Sequence, residues 1–113
     1  MIKKRLITPL YNVQLCVFYG NYEELKEVND SLGYDTFPES VYGRTNWSEE
    51  TNRFTLFLRN EVKVSVGTIA HECKHIVNFI FEARGIKLDL NNDEPECYLL
   101  EWLVNKIYSI IKN

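Results

Sequence analysis

The sequence predicts an α+β domain: a small N-terminal sheet with one helix, then two longer helices that fold back on each other antiparallel. Three observations carry that prediction. Two short runs of β-forming residues, 13–20 and 53–60, flank a segment of helical spacing. The C-terminal half holds two stretches whose apolar residues recur every three or four positions. At 113 residues, 45% of them hydrophobic, the chain forms one domain (1–113) with apolar material for a single core.

The elements follow in order. "VQLCVFYG" (13–20) is an apolar run closed by Gly20, a buried strand. "NYEELKEVNDSLG" (21–33) opens on Asn21 as N-cap, carries Leu25, Val28 and Leu32 at helical spacing, and stops at Gly33. Residues 34–52 lack sustained periodicity and contain Pro38 and Gly43, so they read as a long loop with room for short extended pieces, a lid or a cover for the core. "RFTLFLRN" (53–60) alternates Phe54, Leu56 and Leu58 against Arg53, Thr55, Phe57 and Arg59, a strand with one face toward the core. From Val66 an apolar stripe runs through Ile69, Ala70, Cys73, Ile76, Val77 and Ile80, with Gly85 just past the helix end. The last helix starts at Asp93 as N-cap with Pro95 in its first turn; Leu99, Leu100, Leu103, Ile107, Ile110 and Ile111 make its apolar face.

Composition excludes several classes. A net charge of −3 and a pI near 5.4 argue against a nucleic-acid partner. "KKR" at 3–5 is the one basic cluster and reads as a solvated terminus. No apolar run approaches the roughly 20 residues that span a bilayer, and Pro9, Asn12 and Gln14 interrupt the only signal-like stretch. Membrane association is not expected. Cys16, Cys73 and Cys97 are odd in number and unpaired in spacing, as in a reducing, cytoplasmic compartment.

Both histidines of the chain lie in "HECKH", 71–75, the order H-E-x-x-H. Side chains four apart on a helix are neighbours about 5–6 Å apart at Cβ, so two imidazoles can address one ion. Glu72 is rotated aside and can reach a water instead. The bland alternative is two solvated histidines with a good helix former between them. Against it, both rings fall off the apolar stripe, on a polar stripe with Asn78 and Glu82.

With no third histidine, a further protein ligand has to be a carboxylate or a thiol. Asp93, Glu94, Glu96 and Cys97 stand at the start of the next helix. Here the chain resembles a family. "TIAHECKHIVNFIFEARGI" followed by "NDEPECYLLEWL" is similar to the minimal gluzincin pattern of thermolysin-like metallopeptidases, and most similar to short phage-encoded proteins assigned as zinc peptidases. The resemblance covers roughly residues 66–104. It implies His71, His75 and Glu94 as ligands of one Zn²⁺ per chain, and Glu72 as general base. Cys97 departs from the pattern, which has alanine there.

The two glutamates can also be weighed on a helix wheel. They are about 200° apart, so both cannot face one ion. Glu96 lies over Leu99, Leu100 and Leu103 and suits a capping box after Asp93; Glu94 lies over Cys97, Tyr98 and Glu101, a mixed face. Glu94 is preferred and Glu96 kept as the alternative.

Three protein ligands leave zinc a position for water, the mark of a catalytic site. The expected function is peptide-bond hydrolysis by metal-activated water with Glu72 as base. Tyr98 is a candidate oxyanion donor, and Asn92 and Asp93 are candidates to orient a histidine. An extended peptide or protein substrate is expected along the edge of strand 53–60. Because thermolysin-like enzymes complete their cleft with a second lobe, a protein partner is expected to supply the missing wall. A zinc-containing binding or regulatory protein, of phage origin on the resemblance, is the competing reading.

Overall fold

The computed structural model describes residues 1–112. Its elements are β1 (Ile2–Ile7), β2 (Gln14–Gly20), α1 (Tyr22–Ser31), β3 (Gly43–Ser48), β4 (Arg53–Arg59), α2 (Val66–Ala83) and α3 (Glu94–Ile111). The fold is α+β, as the order of elements predicts. Strands pair in the order β1-β2-β4-β3, with β2 and β4 parallel and both outer pairings antiparallel.

The two central strands are apolar because both of their faces are covered. Leu15 and Val17 of β2 join Phe54, Leu56 and Leu58 of β4 in the main core, under Ile69, Cys73, Ile76 and Ile80 of α2 and Leu99, Leu103 and Ile107 of α3. On the opposite face Phe18 and Phe57 pack with Leu25 of α1 and with Phe37. β4 is therefore not a strand with one solvated face. Phe57 is fully buried, and the Thr55 hydroxyl lies 3.0 Å from the Tyr34 hydroxyl.

One expectation is corrected here. β4 is internal, so it offers no open edge to a substrate; the free edges belong to β1 and β3. The long segment 34–52 holds one short extended piece, β3, whose residues "GRTNWS" show no apolar alternation because β4 supplies the pairing. β1 was hidden for the same reason. Its "KKR" is solvent-exposed as expected, but it sits on an edge strand, where cations discourage further pairing.

Helix ends follow local chemistry. Asn21 and Glu24 form a reciprocal capping box at α1. Ser65 caps α2 through Thr68 N–H at 3.0 Å. Beyond α2, Gly85 takes φ +69°, and the N–H groups of Gly85 and Ile86 return to the Glu82 and Phe81 carbonyls. This Schellman closure requires the left-handed conformation that glycine adopts freely. α3 opens with Pro95 in its first turn, and Asp93 caps through its backbone carbonyl only. α3 runs antiparallel to α2: Glu96 meets Lys74, while Tyr108 and Ile111 meet Val64 near the start of α2. No helix among the described residues is long and apolar enough to cross a membrane.

Candidate metal centre

One turn of α2 brings the motif together. Ile69, Cys73 and Ile76 bury the inner side of that turn, which forces His71 and His75 outward. Both rings are exposed, His71 with 68% of its side chain accessible. They nevertheless converge. Their centroids are 4.8 Å apart with planes at 81°, and the two Nε2 atoms stand 3.2 Å apart. That is hydrogen-bond distance. It is also close to the separation of about 3.3 Å between two nitrogens that share a tetrahedral zinc.

Glu72 turns off that stripe toward β3 and is buried, only 7% exposed. Its Oε2 is 3.9 Å from His71 Nε2. Burial pushes its carboxyl above the usual carboxylate range, with the two histidines pulling weakly the other way. A buried glutamate is uncommon without a partner, and among the described residues Glu72 accepts no hydrogen bond. It lines a groove of about 300 Å³ with Gly43, Arg44, Thr45, His75 and Phe79.

β3 forms the groove's other wall. Trp47 stacks on Phe54, with ring centroids 6.0 Å apart, and contacts Phe79 of α2 at the same distance. Arg44 turns to the opposite face, where its guanidinium donates to the carbonyls of Asp35 and Thr36. At the head of the strand, Arg59 lies between the rings of Tyr22 and Tyr42, grips Glu61 and donates to the Glu39 carbonyl. These contacts hold the chain entering Gly43.

The third ligand is placed differently. Glu96 faces α2, where Lys74 Nζ donates to its Oε2 at 2.6 Å and to Asn78 Oδ1 at 2.8 Å. Glu94 is exposed on the other side of α3. With Pro9, Leu10, Tyr11, Tyr98 and Trp102 it lines a separate apolar cleft of about 570 Å³. Tyr98, 67% exposed, lies on that side too and does not line the groove of Glu72. Among the described residues, no three His, Cys, Asp or Glu side chains are gathered closely enough to hold a metal. Neither Asn92 nor Asp93 hydrogen-bonds a histidine.

Of the residues singled out in the sequence, the structure thus unites His71, Glu72 and His75, and leaves Glu94, Glu96 and Tyr98 outside that group. Gly43 and Thr45 are additions. They lie in a segment without periodicity, and nothing in the sequence signals that it returns alongside α2. Comparison with family models, with curated proteins and with solved structures gives no match.

Proposed function

We propose that this chain is a zinc-dependent peptidase in which His71 and His75 hold the metal and Glu72 is the general base. The observation that supports it is the 3.2 Å approach of the two Nε2 atoms beside the carboxylate of a largely buried glutamate, 3.9 Å from His71 Nε2. That donor set fits zinc: two neutral imidazoles with a carboxylate close by but off their axis. Bound there, zinc would supply a Lewis acid that lowers the pKa of a water to about 7.

Glu72 would take a proton from the attacking water, whose oxygen bonds to the peptide carbonyl carbon, and return it to the leaving nitrogen as the C–N bond breaks. β3 offers the binding edge. The Tyr42 carbonyl accepts from Arg59 N–H at 3.0 Å, so alternation turns the backbone groups of Tyr42, Arg44 and Asn46 toward β4. The N–H and C=O groups of Gly43, Thr45 and Trp47 then point to the open edge beside Glu72, where an extended peptide adds as a further strand. The groove between α2 and β3 is shallow, and a partner protein is the proposed source of a cover over it.

For the third protein ligand, the resemblance implies Glu94, while contact with α2 favours Glu96. Glu96 faces α2 in its ion pair with Lys74, whereas Glu94 borders the cleft with Pro9 and Tyr11. The competing reading, a zinc-containing binding or regulatory protein with little turnover, draws on the same unassembled carboxylate. The free thiols Cys16, Cys73 and Cys97 are consistent with an intracellular setting.

The test is Glu72→Gln. It is expected to retain zinc and to lose about 10²- to 10⁴-fold in hydrolysis of an internally quenched peptide mixture. Undiminished cleavage by that variant removes Glu72 as base. Wild-type protein that binds zinc but cleaves nothing favours the binding protein.

A further inference from the structure

We infer that Gly43 is a positioning residue: its missing side chain leaves the space in which the Glu72 carboxylate is held over the groove. The inference deepens the peptidase reading and rests on it for its catalytic meaning, but its geometry stands independently. Gly43 opens β3, opposite Leu58 of β4, and its α-carbon faces α2. A Cβ built there would meet Glu72 Cγ at 3.2 Å, Leu58 Cδ2 at 3.3 Å and Thr68 Cγ2 at 3.5 Å.

The three contacts differ in what they can yield. Thr68 is at ordinary van der Waals distance. Leu58 is fully buried and boxed in by the core, so it cannot move away freely. Glu72 is the neighbour with an exit, because its carboxylate borders the groove. A methyl at position 43 therefore acts on Glu72 first, pushing its Cγ, and with it the carboxylate, by a few tenths of an ångström. No positive φ is involved at Gly43, so what glycine provides is room and not backbone freedom.

This also explains why an acidic side chain is tolerated in so enclosed a place. Strand and helix approach closely enough at Gly43 to shelter the Glu72 methylenes, while the carboxylate stays at the lip of the groove. A base displaced by about 1 Å loses roughly 100-fold in rate, so a shift of a few tenths costs several-fold. The strand that offers its edge to a substrate would thus also set the base.

A double-mutant cycle on the full chain tests this without requiring activity. Gly43→Ala is expected to lower the urea midpoint when residue 72 is glutamate. In the Glu72→Ala background, where the obstructing Cγ is gone, the same change is expected to leave the midpoint unchanged or raise it, since alanine suits a strand better than glycine. An equal loss in both backgrounds assigns the clash to Leu58 and overturns the inference. On zinc-loaded protein with an internally quenched peptide mixture as probe, Gly43→Ala is expected to lower kcat about 3- to 10-fold. KM and zinc content should stay within about twofold, the pattern of a lost transition-state contact. An unchanged kcat in a protein whose Glu72→Gln variant is inactive also overturns it. If Glu72→Gln cleaves as well as wild type, the base reading fails, and the stability cycle alone decides the role of Gly43.

Discussion

The histidine turn of α2 and the first turn of α3 carry the same kind of residues in very different settings. In α2, buried Ile69, Cys73 and Ile76 lie directly behind the motif, so the core holds the two rings where helical spacing puts them. In α3 the first fully buried side chain is Leu99, beyond both glutamates. Glu96 is held by a lysine, whereas Glu94 has no ion pair among the described residues and stands exposed. A pair of ligands one turn apart comes preassembled from local geometry. A third ligand from another helix depends on how that helix is rotated, and here that rotation is set by Leu99, Leu103 and Ile107, not by the site.

Removing the support of the first region should do the most damage. Ile76→Ala is expected to lower folding stability by about 2–5 kcal/mol, read by urea denaturation. A loss under 1 kcal/mol would mean that α2 is not anchored there.

Next in size is the comparison of the two glutamates. By the contact with Lys74, Glu96→Ala should weaken zinc binding by at least the roughly 10- to 100-fold that even an outer-shell partner contributes, while Glu94→Ala should change it little. Titration against a competing chelator reads both, and the reverse ranking would hand the role to Glu94.

Smaller still is Asn21→Ala at the capping box of α1, far from either turn. It should lower stability by about 1 kcal/mol and leave zinc binding alone. A change in zinc binding would show that the two faces of the sheet communicate.

The same physics decides what could be read from the sequence. α2 was legible throughout, because its stripe, its polar face and the stop at Gly85 all repeat within a few residues. Asn21 was legible for the same reason. β4 was recognisable as a strand, but its position inside the sheet was not. That position depends on β1 and β3, whose side chains are polar or basic because their job is pairing at an edge. Glu96 was correctly placed over the apolar stripe of α3. The missing step was that this stripe, at the first turn, looks at Lys74 of α2 rather than into the core. Tyr98 and Glu94 share a face, as their spacing requires, but it borders the apolar cleft with Pro9 and Tyr11. Gly43 left no signal, since its role is to be small against a residue 29 positions later in the chain.

The central claim is that two imidazoles of one helical turn bind a divalent metal. Native mass spectrometry of the zinc-treated wild-type chain beside His75→Ala tests it most directly. The account predicts one zinc per chain in the wild type and none retained by the variant. A wild-type chain that takes up no zinc, or a His75→Ala chain that keeps it, would contradict the account.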